Sequence, residues 1–304
     1  MFLSLTQDST PWLTWNLDPV LWLGIVAFVA AYFYAIGPLR RRYHLGPPAT
    51  SRQIGYFLLG TLALAFALVS PLDFIADHYL FSAHMIQHML LVVVAPPLWL
   101  LGTPGWLLAP LFRRESVRQI TRIIANPIVA FLLLNIDLYL WHIPPLYSAA
   151  LTNEALHIVE HLTFIALGVL FWWVVLSPVE EASRVSRGVA ILYLFLACQP
   201  MVLLGALLTF APAPVYLPYV AAPRITPLSP LVDQQLGGLI MWLPSNIPYL
   251  LAISVFFFQW VAEQDRAERL AAGEDFGEDS GEVQEVQAVD AQVIPGATPE
   301  GGHA

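Results

Sequence analysis

The stretch HMIQHMLLVVVAPPLWLL, residues 84–101, decides the class of fold. It runs for eighteen residues without an Asp, Glu, Lys or Arg. As a helix it would extend about 27 Å, close to the ~30 Å hydrocarbon thickness of a bilayer. Its first turn carries His84, Gln87 and His88, which share one helical face. A second stretch, HIVEH at 157–161, repeats that spacing with His157, Glu160 and His161 at the mouth of another apolar run.

Working outward, six further apolar stretches join the first. The spans are expected at about 19–38, 54–72, 84–101, 127–141, 157–177, 188–210 and 236–261. The chain of 304 residues is 58% hydrophobic and 12% charged, with mean hydropathy +0.66. These values belong to an all-α, polytopic integral membrane bundle of seven transmembrane helices, residues 1–262. The first stretch has no basic residue before it and a long polar approach, so a retained span is expected there rather than a cleaved signal. The net charge of −9 has a local origin: eleven of the 22 acidic residues lie between Glu263 and Glu300. Residues 263–304 are therefore expected to be an acidic, disordered cytoplasmic tail.

All thirteen basic residues are arginine. Without lysine, a retinal or pyridoxal Schiff base is excluded. No basic stripe suits a nucleic acid. Cys198 is the sole cysteine, which excludes an internal disulfide and a cysteine-pair metal site. Twelve arginines fall in the loops and tail on one side of the seven spans, against Arg224 alone on the other. The positive-inside rule then puts the N-terminus outside and the C-terminus in the cytoplasm.

That orientation gathers His78, His84, His88, His142, His157 and His161 at the outer ends of the third, fourth and fifth spans. Any one of them reads plainly as an interfacial side chain. The doubled comb reads differently, because Glu160 lies within an apolar run where an unpartnered carboxylate is costly. Four imidazoles, His84, His88, His157 and His161, are the expected metal ligands, at the i, i+4 spacing that holds a transition metal from one helix. Gln87, Asp137 and Glu160 are expected around them as orienting partners. His142, Asp233 and Met241 are candidate additional ligands. Imidazole with thioether favours Cu(I), with zinc as an alternative. HIVEH also matches the inverted zinc-protease signature, but the further ligand and soluble chamber that chemistry needs are missing.

FSAHMIQHMLLVVVAPPLWLLGTP, WHIPPLYSAAL, LHIVEHLTFIALGVLFWW and DQQLGGLIMWLP stand in order along the chain. Together they resemble the polytopic CtaG family of cytochrome c oxidase assembly proteins, over about residues 15–262. The matching positions are His84, Gln87, His88, Trp141, His142, His157, Glu160, His161, Asp233, Gln234 and Met241. The resemblance implies a multi-pass protein of the bacterial plasma membrane that assists assembly of a haem–copper oxidase, with copper handling rather than catalysis as its role. It implies as partners the oxidase subunits, other copper chaperones and the lipid bilayer. The site would open on the periplasmic or extracellular face. Two rivals come from other classes. One is a membrane protein with haem b held by bis-histidine ligation, which uses His88 and His161 but leaves His84 and His157 unexplained. The other is a metal or proton transporter, for which the inner half of the bundle supplies few ionisable groups.

Overall fold

A computed structural model describes residues 11–179 and 185–271. Arg184 and the chain from 272 onward, which holds most of the expected acidic tail, lie outside the described residues. The helices run α1 Pro19–Tyr43, α2 Ser51–Val69, α3 Pro71–His78, α4 Phe81–Gly102, α5 Gly105–Phe112, α6 Glu115–Ile124, α7 Pro127–Trp141 and α8 Pro144–Thr152. They continue as α9 Glu154–Leu176, α10 Arg187–Thr209, α11 Leu217–Ala221, α12 Pro230–Trp242 and α13 Asn246–Ala271. Among the described residues the chain is helical with no strand.

Six helical stretches are long and apolar enough to cross a membrane, or seven when α6 and α7, bent by 62°, count as one crossing. The seventh expected span, 236–261, lies within one apolar stretch, Pro230–Leu270, whose helix is interrupted at Leu243–Ser245 between α12 and α13. Pro244 has no N–H to continue the ladder, and polar neighbours take up the freed carbonyls. Ser245 Oγ donates to Met241 O, and Asn246 Nδ2 donates to Trp242 O. The α13 helix runs on to Ala271, so 263–271, expected in the tail, is helical. Among the described residues, Phe258–Ala271 belong to a unit separate from the rest of the chain.

Helix starts follow local chemistry. Thr50 and Gln53 form a reciprocal capping box on α2, while Asn126, Asn153 and Ser229 cap α7, α9 and α12 by accepting from backbone N–H groups. Within α4, Pro96 and Pro97 follow a π-helical turn at Leu90–Val94. That turn absorbs the lost hydrogen bonds without ending the helix. Gly168 of α9 lies against it; a Cβ there would stand 3.0 Å from Val92 O. A facing pair, Gly205 and Gly238, likewise seats α10 on α12, each blocking a side chain on the other at under 3 Å from backbone oxygen.

The path of the chain sorts its connectors. Residues 70–80, 142–153 and 210–229 join helices at one end of the bundle and carry α3, α8 and α11. Arg52, Arg113, Arg114 and Arg187 stand at helix ends of the other pole, and Arg118 and Arg122 lie on α6 between them. The histidines of α4 and α9 sit in the first turns below the α3, α8 and α11 connectors, in a layer that also buries Phe81, Tyr147, Tyr216 and Tyr219.

Candidate metal centre

Helices α4 and α9 enter from the same end and bring their two combs together. The His84 and His88 rings stand 4.1 Å apart, those of His157 and His161 4.2 Å, and His88 reaches His161 at 5.4 Å. His84, His88 and His161 each offer a nitrogen, and these atoms lie within 4.8 Å of one another. All three rings are buried. His84 Nε2 and His88 Nε2 approach to 2.7 Å. Two ligand nitrogens on one tetrahedral ion sit about 3.3 Å apart, so an ion there would open this pair by about 0.6 Å.

Hydrogen bonds decide which nitrogens are available. Tyr219 has one hydroxyl proton, and it goes to Ala76 O at 2.8 Å. His84 Nδ1, at 3.0 Å from the same oxygen, must then be the donor. Tyr147 OH, at 3.2 Å, fills the oxygen's remaining lone pair. His84 thereby keeps its lone pair on Nε2, facing His88. His142 is fixed the same way: Nδ1–H donates to Leu138 O at 2.7 Å, and Nε2 is left bare. Holding one imidazole nitrogen to orient the other is how proteins set up a metal-binding histidine.

The layer also holds a run of unsatisfied atoms. His88 Nδ1, His142 Nε2, His157 Nε2, His161 Nε2, Glu160 Oε1 and Asp77 Oδ1 are buried with no hydrogen-bond partner. Six such atoms in one layer are costly, at roughly 1–3 kcal/mol each. A cation among them would satisfy several at once, so the residues fit a metal ion.

Glu160 turns inward. Its Oε1 stands 3.7 Å from His88 Nε2, the atom that would ligate, rather than behind a ring as an orienting partner. Gln87 turns away: its Nε2 donates to Ala67 O at 3.0 Å and to Asp73 Oδ1 at 2.7 Å. Burial lifts the Asp73 carboxyl to about 6, against the opposing pull of hydrogen bonds from Asn16 and Gln87. Asp137 accepts from Trp141 Nε1 at 3.0 Å; that indole also reaches Thr163 Oγ1, which bonds Glu160 O. Asp137 therefore meets the cluster only through the α7–α9 contact.

Two candidate ligands are engaged elsewhere. Asp233 accepts from Phe81 N at 2.8 Å, Ser82 N at 3.2 Å and Ser82 Oγ at 2.5 Å, which caps the start of α4 from α12. Gln234 accepts from Val215 N. Met241 is buried in the apolar core against α10. His142 stays within range, its ring 6.5 Å from that of His88. His78 is exposed, with Nδ1 donating to Phe74 O.

Asp77 and Tyr219 were not among the expected site residues. Asp77 Oδ1 stands 3.6 Å from His157 Nε2, and Asp77, His84 and His157 form a second group with ligand atoms within 4.8 Å. Its signal was an acid beside a histidine in DFIADH, just ahead of the third span. Tyr219 comes from α11, 135 residues beyond His84, and nothing local in VYLPYV foretells its contact.

A family model described as cytochrome c oxidase caa3 assembly factor matches residues 30–263. Among curated proteins, uncharacterized protein Mb0105 of Mycobacterium bovis is 27% identical over 282 residues, covering 88% of this chain and 42% of its own length. Uncharacterized protein MT0111 of Mycobacterium tuberculosis matches to the same extent, and ML1998 of Mycobacterium leprae is 27% identical over 290 residues. The chain thus spans less than half the length of these relatives. No solved structure matches.

Proposed function

The chain belongs to the cytochrome c oxidase caa3 assembly factor family, and from that premise we propose that it carries copper to, or guards it for, the maturing oxidase. The ion is cargo held by His84, His88 and His161, with Glu160 beside them and His142 in reserve. The observation that carries this reading is the convergence of three buried imidazole nitrogens within 4.8 Å, with unpartnered polar atoms around them. Imidazole ligands suit copper.

The chain's own residues prepare the site. Tyr219 and Leu138 O orient His84 and His142. The short helices α3, α8 and α11 cover the cluster. His88 receives no such help, since its Nδ1 has no partner. To ligate through Nε2 it must carry its proton on that unpaired nitrogen, which weakens its hold. A weak ligand suits delivery better than permanent retention.

Arginines at the opposite pole support an outward-facing site in a bacterial plasma membrane, with the N-terminus outside. The oxidase and its copper-donating chaperones are the partners this role needs, and delivery requires no turnover. A haem held between His88 and His161 fits less well: a porphyrin needs its two axial nitrogens on opposite sides of a plane, whereas here three converge on one point.

The test uses the purified protein in detergent with Cu(I) and a competing chelator. One equivalent is expected for the native chain, with affinity reduced at least 100-fold by His88→Ala with His161→Ala. Cells carrying that variant should assemble oxidase depleted in copper. A Soret band in the purified protein, or undiminished Cu(I) affinity in the variant, would sink the reading.

A further inference from the structure

We propose that Asp77, His84 and His157 form a second, shallower position for a divalent transition-metal ion, and that it shares His84 with the deep position so that only one is filled at a time. This deepens the copper reading and rests on it for the identity of the cargo.

The geometry draws on three helices, with His84 on α4. Asp77 stands on α3, the connector helix that leads into α4, and His157 on the first turn of α9. Their facing atoms, Oδ1 and Nε2, are 3.6 Å apart and both lack hydrogen-bond partners. The His157 ring lies 5.5 Å from that of His84. Exposure grades across the layer: side chains of Asp77 and His157 are 24% and 14% exposed, against 1% for His88. The shallow group is thus the one an incoming ion meets first.

Ligand chemistry separates the two positions. A carboxylate with two imidazoles favours a divalent ion such as Cu²⁺, Co²⁺ or Zn²⁺, whereas three imidazoles accept Cu(I). His84 then imposes the exclusion. Its Nδ1 proton is committed to Tyr219, so the neutral ring has one lone pair to give. Two ions would need a bridging imidazolate and a broken Tyr219 bond. One lone pair shared by two ligand sets means that filling either position leaves the other without His84.

The test uses full-length protein in detergent and Co²⁺, which is redox-silent toward Cu(I) and whose visible bands report coordination. His88→Ala with His161→Ala should lose Cu(I) affinity at least 100-fold while keeping one Co²⁺ with affinity within about threefold of native. Adding Asp77→Asn or His157→Ala to that background should lower Co²⁺ affinity at least tenfold. Native protein preloaded with one Cu(I) should take up no Co²⁺. Loss of Co²⁺ with the deep ligands, indifference to Asp77→Asn, or Co²⁺ binding beside Cu(I) would each overturn the proposal. Retained Co²⁺ with no Cu(I) binding in any form would sink the deep copper site and leave the shallow one standing. If the double variant does not purify as a single folded species, His161→Gln alone takes its place in every arm.

Discussion

The two combs share the spacing His-x-x-[Gln/Glu]-His and little else. On α4, the middle polar residue, Gln87, leaves the cluster to tie α2 and α3 through Ala67 O and Asp73. On α9, the equivalent residue, Glu160, faces the histidine layer at 3.7 Å from His88 Nε2. The first histidines differ too: His84 is fully buried and oriented by Tyr219, whereas His157 is partly exposed and faces Asp77. Equal spacing on a helix sets which side chains share a face. The neighbours that each face meets set what the side chains do.

The sharpest break in the comparison removes one ligand from each comb. His88→Ala with His161→Ala should cost at least 100-fold in Cu(I) affinity by chelator competition, while His78→Ala, on an exposed ring with a local partner, changes nothing. The next contrast exchanges the middle residues. Glu160→Gln should lower Cu(I) affinity about tenfold, within the range seen when groups around a metal site are altered. Gln87→Leu should leave that affinity within twofold, because the Gln87 amide donates to Ala67 O and Asp73 rather than to a histidine of the cluster. Equal effects from the two would show that the combs are equivalent after all.

Tyr219 sharpens the comparison from outside both combs. Tyr219→Phe removes the oxygen that accepts from His84 Nδ1–H and frees that ring to change tautomer. The expected loss in Cu(I) affinity is about tenfold. Circular dichroism should stay unchanged, since the ring itself remains packed among Phe81 and Tyr147. An affinity equal to native would mean that the His84 tautomer is set by something other than Tyr219.

Much of this was legible in the sequence, and the failures share a cause. Helix class and the position of α7 followed from apolar length, and the four ring positions of the combs followed from i, i+4 spacing. The interruption at Pro244 inside the seventh span leaves no mark on hydropathy, because apolar composition continues across it. Asp233 and Met241 are candidate additional ligands by residue type and resemblance, yet one caps α4 and the other fills the core. Which of several partners a polar side chain meets depends on helix rotation and crossing, which local spacing does not encode. Tyr219 shows the limit, since its partner stands 135 residues away.

The smallest expected effect concerns Gln87 again, now through stability. Burial raises Asp73 to about 6, well above the ~3.9 of an unfolded aspartate. Between those values the folded chain binds more protons than the unfolded one, so stability falls as pH rises from about 4 to about 6 and then levels off. The penalty is fully present above the folded value and gone below the unfolded one. Asp73→Asn should flatten this part of the profile. Gln87→Leu removes one of two hydrogen bonds that stabilise the carboxylate, so it should push the falling limb to higher pH. It should also cost about 1–2 kcal/mol near pH 7 from the lost hydrogen bonds. Thermal unfolding of the three proteins in one detergent from pH 4 to 8 measures both effects. If the Gln87→Leu curve runs parallel to the native one, Gln87 is not the group that steadies Asp73. The comb on α4 would then lose the structural role that distinguishes it from the comb on α9.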